Sequence, residues 1–170
     1  MNERLLRQTK RQEEMRPSII VLVAGVVTSV FFLGVAVISN TVGKNETTTL
    51  GTTLFFVGCG LLGLVFVYDY FVERYFISEE GMVYRSFYGL GPRRFLSWDE
   101  VRSVDYSTWS QWFVVKTDAG AKAHVSVLMT NLPAFTHAVL SHVPHEAISS
   151  RAKEMFRIIL EQPDLESYLT

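Results

Sequence analysis

Two long runs of apolar residues dominate the pattern of this chain. Ile19 to Ile38 is twenty residues without a charge, sixteen of them apolar, interrupted only by Gly25, Thr28, Ser29 and Gly34. Leu50 to Tyr68 is nineteen uncharged residues, thirteen of them apolar. An α-helix rises 1.5 Å per residue, so about 20 residues cross the ~30 Å hydrocarbon layer of a bilayer. Both runs reach that length, and neither has the polar stripe of a helix lying on a soluble core. A cleaved signal peptide fits the first run poorly. Its apolar stretch is too long, and Ala36-Val37-Ile38 offers no small-residue cleavage pattern. The expectation is a transmembrane helical hairpin within residues 18–71, with spans near 19–38 and 50–68.

From Val72 the pattern turns into short alternating runs broken by turn residues, which predicts a compact β domain. The runs are Val72–Ser78, Met82–Tyr88, Arg93–Trp98, Val101–Ser107, Trp112–Thr117 and Ala121–Val127. Asp118-Ala119-Gly120 reads as a tight hairpin turn between the last two. Helix follows strand. Asn131 is a candidate N-cap with Pro133 in the first turn, and Leu132, Phe135, Val139 and Val143 recur at helical spacing. After Pro144, Ile148, Ala152, Met155, Phe156 and Ile159 mark one face of a further amphipathic helix within 144–170.

Charge adds orientation. Arg4, Arg7, Lys10, Arg11 and Arg16 precede the first apolar run, whereas the connection from Ser39 to Thr49 holds only Lys44. This asymmetry puts the basic segment 1–17 in the cytoplasm, and two spans return the chain to the same side. The segment could also lie as a short helix on the anionic leaflet, but setting topology is the plainer role. A net charge of -1 argues against a nucleic-acid binder, and one cysteine excludes a disulfide framework.

Candidate chemistry is sparse. Gly58-Cys59-Gly60-Leu61-Leu62-Gly63 matches the G-x-G-x-x-G dinucleotide fingerprint, but that motif needs a strand before it and free backbone amides. Inside a membrane helix, Gly58 and Gly63 are better read as helix-packing positions, together with Gly25 and Ser29 of the first run. His137, His142, His145 and Glu146 are loosely spaced around a helix end, and His124 falls on a polar strand face. Neither a nucleophile elbow nor a P-loop occurs in the soluble part. The expectation is a protein that is not an enzyme, with no cofactor, metal, nucleic acid or small-molecule substrate.

Three stretches carry a family likeness: Arg74-Tyr75-Phe76-Ile77-Ser78, then Glu80-Gly81-Met82-Val83-Tyr84-Arg85, then Phe95-Leu96-Ser97-Trp98-Asp99-Glu100-Val101. Their order, with Asp118-Ala119-Gly120 and the following helix, resembles the bacterial pleckstrin-homology (PH)-like domain family over roughly Tyr70 to Val143. The resemblance implies an α+β membrane protein. Behind the transmembrane hairpin it implies a PH-like barrel or sandwich of six to seven antiparallel strands over 72–143, capped by a helix. The seventh strand would lie near Leu128 to Thr130. In this reading Gly81 supplies a positive φ at a tight turn and Trp98 is a buried anchor.

Some PH domains hold phosphoinositides through basic residues in the loop between their first two strands. Here Ser78-Glu79-Glu80-Gly81 is acidic, and Val72–Val143 contains seven basic and seven acidic residues, so no strong field is expected. Arg93 and Arg94 are the candidate anionic-lipid contact. Trp109, Trp112, Tyr88 and Leu90 are candidate partner-binding residues, because aromatics are enriched at interface hot spots. The leading expectation is a non-catalytic interaction module in a bacterial inner membrane, docking a protein partner or its own copies at the cytoplasmic face. The alternatives are recognition of lipid headgroups, or an accessory transmembrane subunit of a larger membrane complex.

Overall fold

The computed structural model of the protein describes residues 13–42, 46–85 and 92–161. They divide into two compact units. Ser18–Val72 form one, and the chain up to Pro17 together with the chain from Glu73 onward forms the other.

The first unit is a pair of helices, α1 (Ile19–Val42) and α2 (Glu46–Val72), both long and apolar enough to cross a membrane. Both run beyond the apolar stretches that announce them. The polar connection expected over Ser39–Thr49 is helical up to Val42 and again from Glu46. Within the extension of α1, Thr41 Oγ1 donates to the Ile38 carbonyl at 2.9 Å. The helices approach closely at Gly25 and Gly63. A Cβ on Gly25 would come 2.8 Å from the Gly63 carbonyl oxygen, and a Cβ on Gly63 would strike Ser29. The Ser29 hydroxyl donates to the Gly60 carbonyl at 3.1 Å, so a polar bond reinforces the small-residue contact. Gly58 does not belong to this seam. A Cβ there would have nothing within 4 Å, whereas one on Gly60 would meet Leu33. Spacing explains the difference, because Gly60 and Gly63 are three residues apart on one helix face and Gly58 points away.

The second unit holds two antiparallel sheets. The four-stranded sheet orders β1 (Glu13–Met15), β2 (Tyr75–Ile77), β3 (Gly81–Arg85) and β4 (Arg93–Ser97). The three-stranded sheet orders β5 (Val101–Ser107), β6 (Trp112–Thr117) and β7 (Lys122–Ser126). Helices α3 (Leu132–His142) and α4 (Ser150–Glu161) follow. One core joins all these elements. Phe113 of β6 stacks on Phe156 of α4 at 4.8 Å, and Phe135 of α3 completes the trio at 5.6 and 6.1 Å. The Tyr75 hydroxyl, on a nearly fully buried ring, lies 2.8 Å from the His124 carbonyl oxygen and links the two sheets.

Several expectations are corrected. Residues 1–12 of the basic segment, with most of its charges, lie outside the described residues; its end, Glu13–Met15, is a strand in which Met15 is fully buried and pairs with Tyr75. A strand near Leu128–Thr130 is replaced by a single bridge, in which Met129 pairs with Pro17. The amide of Thr130 donates to the Arg16 carbonyl at 2.8 Å, so this stretch receives the N-terminal segment. No domain boundary falls at residue 143, because Ala152, Phe156 and Ile159 of α4 lie in the same core as the strands. Ile148 bridges to Val104, and Ser149 donates its amide to the Val104 carbonyl at 2.9 Å, covering the free edge of β5.

Gly81 is corrected in its reason. Among the described glycines only Gly120, at +79°, has a positive φ. Gly81 lies within β3, where any Cβ would collide with the Leu96 carbonyl oxygen and the Phe95 ring. Close approach of two strands demands it there. Asn131 precedes α3 but caps nothing with its side chain. It adopts a left-handed φ of 59°, and its side-chain amide donates to Glu13 at 2.9 Å, a second tie to β1.

Candidate functional site

The β5–β6 hairpin carries the most exposed large apolar side chain among the described residues. Trp109 is 98% exposed on the turn between Ser107 and Trp112. The turn is held by Gln111, whose φ of 55° reverses the chain and whose carbonyl accepts the Val127 amide at 3.1 Å. The Ser110 amide donates to the Ser107 hydroxyl at 3.4 Å. A fixed backbone therefore presents an indole that the domain's own core does not use. Trp112 differs. It is half-buried, with its ring 5.5 Å from that of His124 on the neighbouring strand. Phe113, its neighbour in sequence, is entirely core. Tyr88 and Leu90 lie outside the described residues.

Arg93 and Arg94 are exposed on β4, and Arg93 opposes Arg85 of β3 in register. Like charges directly opposite each other repel. The Arg93 guanidinium sits 5.7 Å above the Phe76 ring, which offers it an attractive π face. Phe95 beside them is 44% exposed. Trp98 is buried, and its indole N–H donates to the Ser78 carbonyl at 2.9 Å, pinning the turn between β2 and β3. Gly81 and Trp98 are thus parts of one structural corner.

Two further features escape the sequence pattern. Arg74 pairs with Glu14 at 3.1 Å, joining the residues that flank the helical pair in the chain. Asp105 accepts the Ser149 hydroxyl at 2.7 Å and the Tyr106 amide at 2.8 Å, and these bonds hold its carboxyl below the usual carboxylate range. Ser149 in turn accepts the Ala152 amide at 3.2 Å, so it caps α4 while anchored to β5. Only the Asn, Asp, Ser or Thr type of a cap is visible in sequence, and Ser149 and Ser150 are equal candidates by that signal.

Partial burial pushes the His124 imidazole below its ordinary value, with Lys122 adding to the effect. His142 bonds through Nδ1 to the Ala138 carbonyl at 2.9 Å and lies over Trp98. Among the described residues no group of three or more His, Cys, Asp or Glu side chains could hold a metal ion. In comparisons with protein-family models, curated proteins and solved structures, the chain matches none.

Proposed function

We propose that the chain is a bacterial inner-membrane protein in which a two-span helical hairpin carries a cytoplasmic, PH-like, non-catalytic domain. That domain docks a protein partner, or a second copy of the chain, close to the membrane. The observation that carries the docking role is Trp109, 98% exposed on a turn with a fixed backbone. Trp is the residue type most enriched among interface hot spots, and a preorganised turn lowers the entropy lost on binding.

Support for the membrane reading comes from connectivity. Both ends of the helical pair continue into neighbouring strands of one sheet, β1 and β2, which pair Met15 with Tyr75. The segments before and after the helices must then share one side of any membrane, which an even number of spans permits and a single span forbids. Large apolar side chains on both helices, such as Val30, Phe31, Leu54 and Phe55, are exposed to whatever surrounds them, as lipid contact requires. The basic residues before Ile19 select the cytoplasmic side. Seven strands in two sheets followed by a helix agree with a PH-like reading, with β1 upstream of the helices as the seventh strand.

The test is a photo-crosslinking amino acid at position 109 in the full chain, expressed in bacterial cells. Adducts to one discrete protein, or to a differently tagged copy of the chain, are expected, and an unlabelled partner should compete them away. Absence of protein adducts at 109, with adducts still formed by a control position in a helix, would overturn the docking role.

A further inference from the structure

The near-neutral charge of the soluble unit conceals a separation in space. Register across the four-stranded sheet aligns Met15 with Tyr75, Phe76 with Val83, and Tyr84 with Arg94. One step further along, at the same end of the sheet, each strand carries an arginine. These are Arg16 after β1, Arg74 before β2, Arg85 ending β3 and Arg93 starting β4, with Arg85 and Arg93 a registered pair. At ~4.8 Å between strands, the row is about 14 Å long. Arg94 stands one step behind it. The chain continues from this same end into α1 three residues after Arg16, and arrives from α2 two residues before Arg74. Among the described residues of this unit, the acidic groups at this end are Glu14, paired with Arg74, and Glu73, whose carboxylate meets the Tyr75 hydroxyl at 2.7 Å.

At the opposite end of the sheet the sign reverses. Glu79 and Glu80 form the β2–β3 turn, and Asp99 and Glu100 follow β4 beside it, where the Trp98 amide donates to the Glu80 carbonyl at 3.2 Å. Asp118 joins them, its backbone N–H donating to the Glu100 carbonyl at 3.1 Å, with Lys116 and Lys122 flanking its turn. The four-stranded sheet therefore runs from a basic end to an acidic end.

From this we infer that the arginine row rests on the anionic lipid headgroups of the bilayer that the helices cross, and fixes which face of the domain is turned to the cytoplasm. The inference depends on the membrane reading above. If Ile19 and Val72 enter the hydrocarbon, Arg16 and Arg74 are within a few residues of the headgroups by chain length alone, and register brings Arg85 and Arg93 to the same level. Each arginine near an anionic surface shifts the balance between a resting and a lifted domain about fivefold. The acidic end is repelled, so the two ends act in the same sense.

Hydrogen exchange on the full chain in lipid nanodiscs tests this. Peptides covering β3 and β4 should exchange severalfold more slowly in discs containing phosphatidylglycerol than in discs of phosphatidylcholine alone. High salt should remove the difference, because these contacts are screened. The Arg85→Gln/Arg93→Gln/Arg94→Gln variant should lose it, and lysine at the same three positions should restore it. Equal exchange in the two lipids, or slowing that survives in the glutamine variant, would overturn the inference. A chain that fails to enter nanodiscs at all would instead overturn the membrane reading, which separates the two failures.

Discussion

Met15 lies directly opposite Tyr75 in an antiparallel pair, although both apolar helices separate them in the chain. The two-sheet domain is thus assembled from both sides of the helical pair. Its first strand precedes the helices, and the other six follow them. Met15 is fully buried, so its side chain contributes to the core and does not merely lead into a helix.

Replacing Met15 by Ala should destabilise the domain by about 2–5 kcal/mol, the range for deleting a large buried apolar side chain. A chain starting at Glu73 should be poorly folded, with a broad thermal transition by circular dichroism. Joining Arg16 to Arg74 through Asn-Gly, a two-residue hairpin turn that keeps Met15 opposite Tyr75, should restore a sharp transition. Equal melting of the two chains would show that β1 is dispensable.

The helical pair gives a contrast between two glycines of one motif. Gly63→Leu places a side chain against Ser29 and the Gly25 carbonyl, and should separate the helices. Gly58→Leu enters open space and should leave the pair intact, or strengthen it through better helix propensity. Resistance of the detergent-solubilised protein to unfolding by increasing SDS should fall for the first and hold for the second.

At the structural corner, Gly81→Ala drives a methyl group into the Leu96 carbonyl oxygen. Separating the strands to relieve it should cost roughly 1–3 kcal/mol, as overpacking does. Denaturant unfolding of the folded domain measures the loss. Because Trp98 donates to Ser78 across the same corner, its fluorescence should also report a loosened turn.

Ser149 and Asp105 give a pH-dependent outcome. The Asp105 carboxyl is held low by the Ser149 hydroxyl first and the Tyr106 amide second, so its ionised form favours the folded state. That contribution is complete above the ordinary carboxylate value of about 3.9 and is lost as pH falls through the lower folded value. Ser149→Ala should destabilise by about 1 kcal/mol at neutral pH through loss of the α4 cap. The gap between the two proteins should narrow in strong acid, where Asp105 is protonated in both. Melting temperatures measured from neutral pH down to about pH 2 check this.

Legibility in sequence followed the strength of the local pattern. The apolar runs announce both helices because composition alone decides them, although their polar ends do not. Val101–Ser107 and Trp112–Thr117 alternate over enough residues to fix their bounds. Glu13-Glu14-Met15 contains one apolar residue among charges and offers no period, so only its partner, Tyr75, identifies it as a strand. The arginine row escapes for the same reason. Arg16, Arg74, Arg85 and Arg93 are scattered in the chain, and counting charges averages them against Glu79, Glu80, Asp99 and Glu100 at the other end. Trp109 is legible as an interface candidate, since it stands between polar residues outside the strand alternation.

A disulfide between the first two strands tests most directly whether the domain closes across the hairpin. Glu14 and Phe76 are registered partners, and Cα atoms of such antiparallel pairs lie about 4.5–5.5 Å apart, within disulfide reach. The chain bearing Glu14→Cys, Phe76→Cys and Cys59→Ser is oxidised mildly in native membranes and digested for mass spectrometry. An intramolecular disulfide joining the two introduced thiols in most molecules is the outcome this account requires. Failure to form it, while each single cysteine variant still reacts with a thiol reagent, would contradict a domain built from both sides of the helical pair.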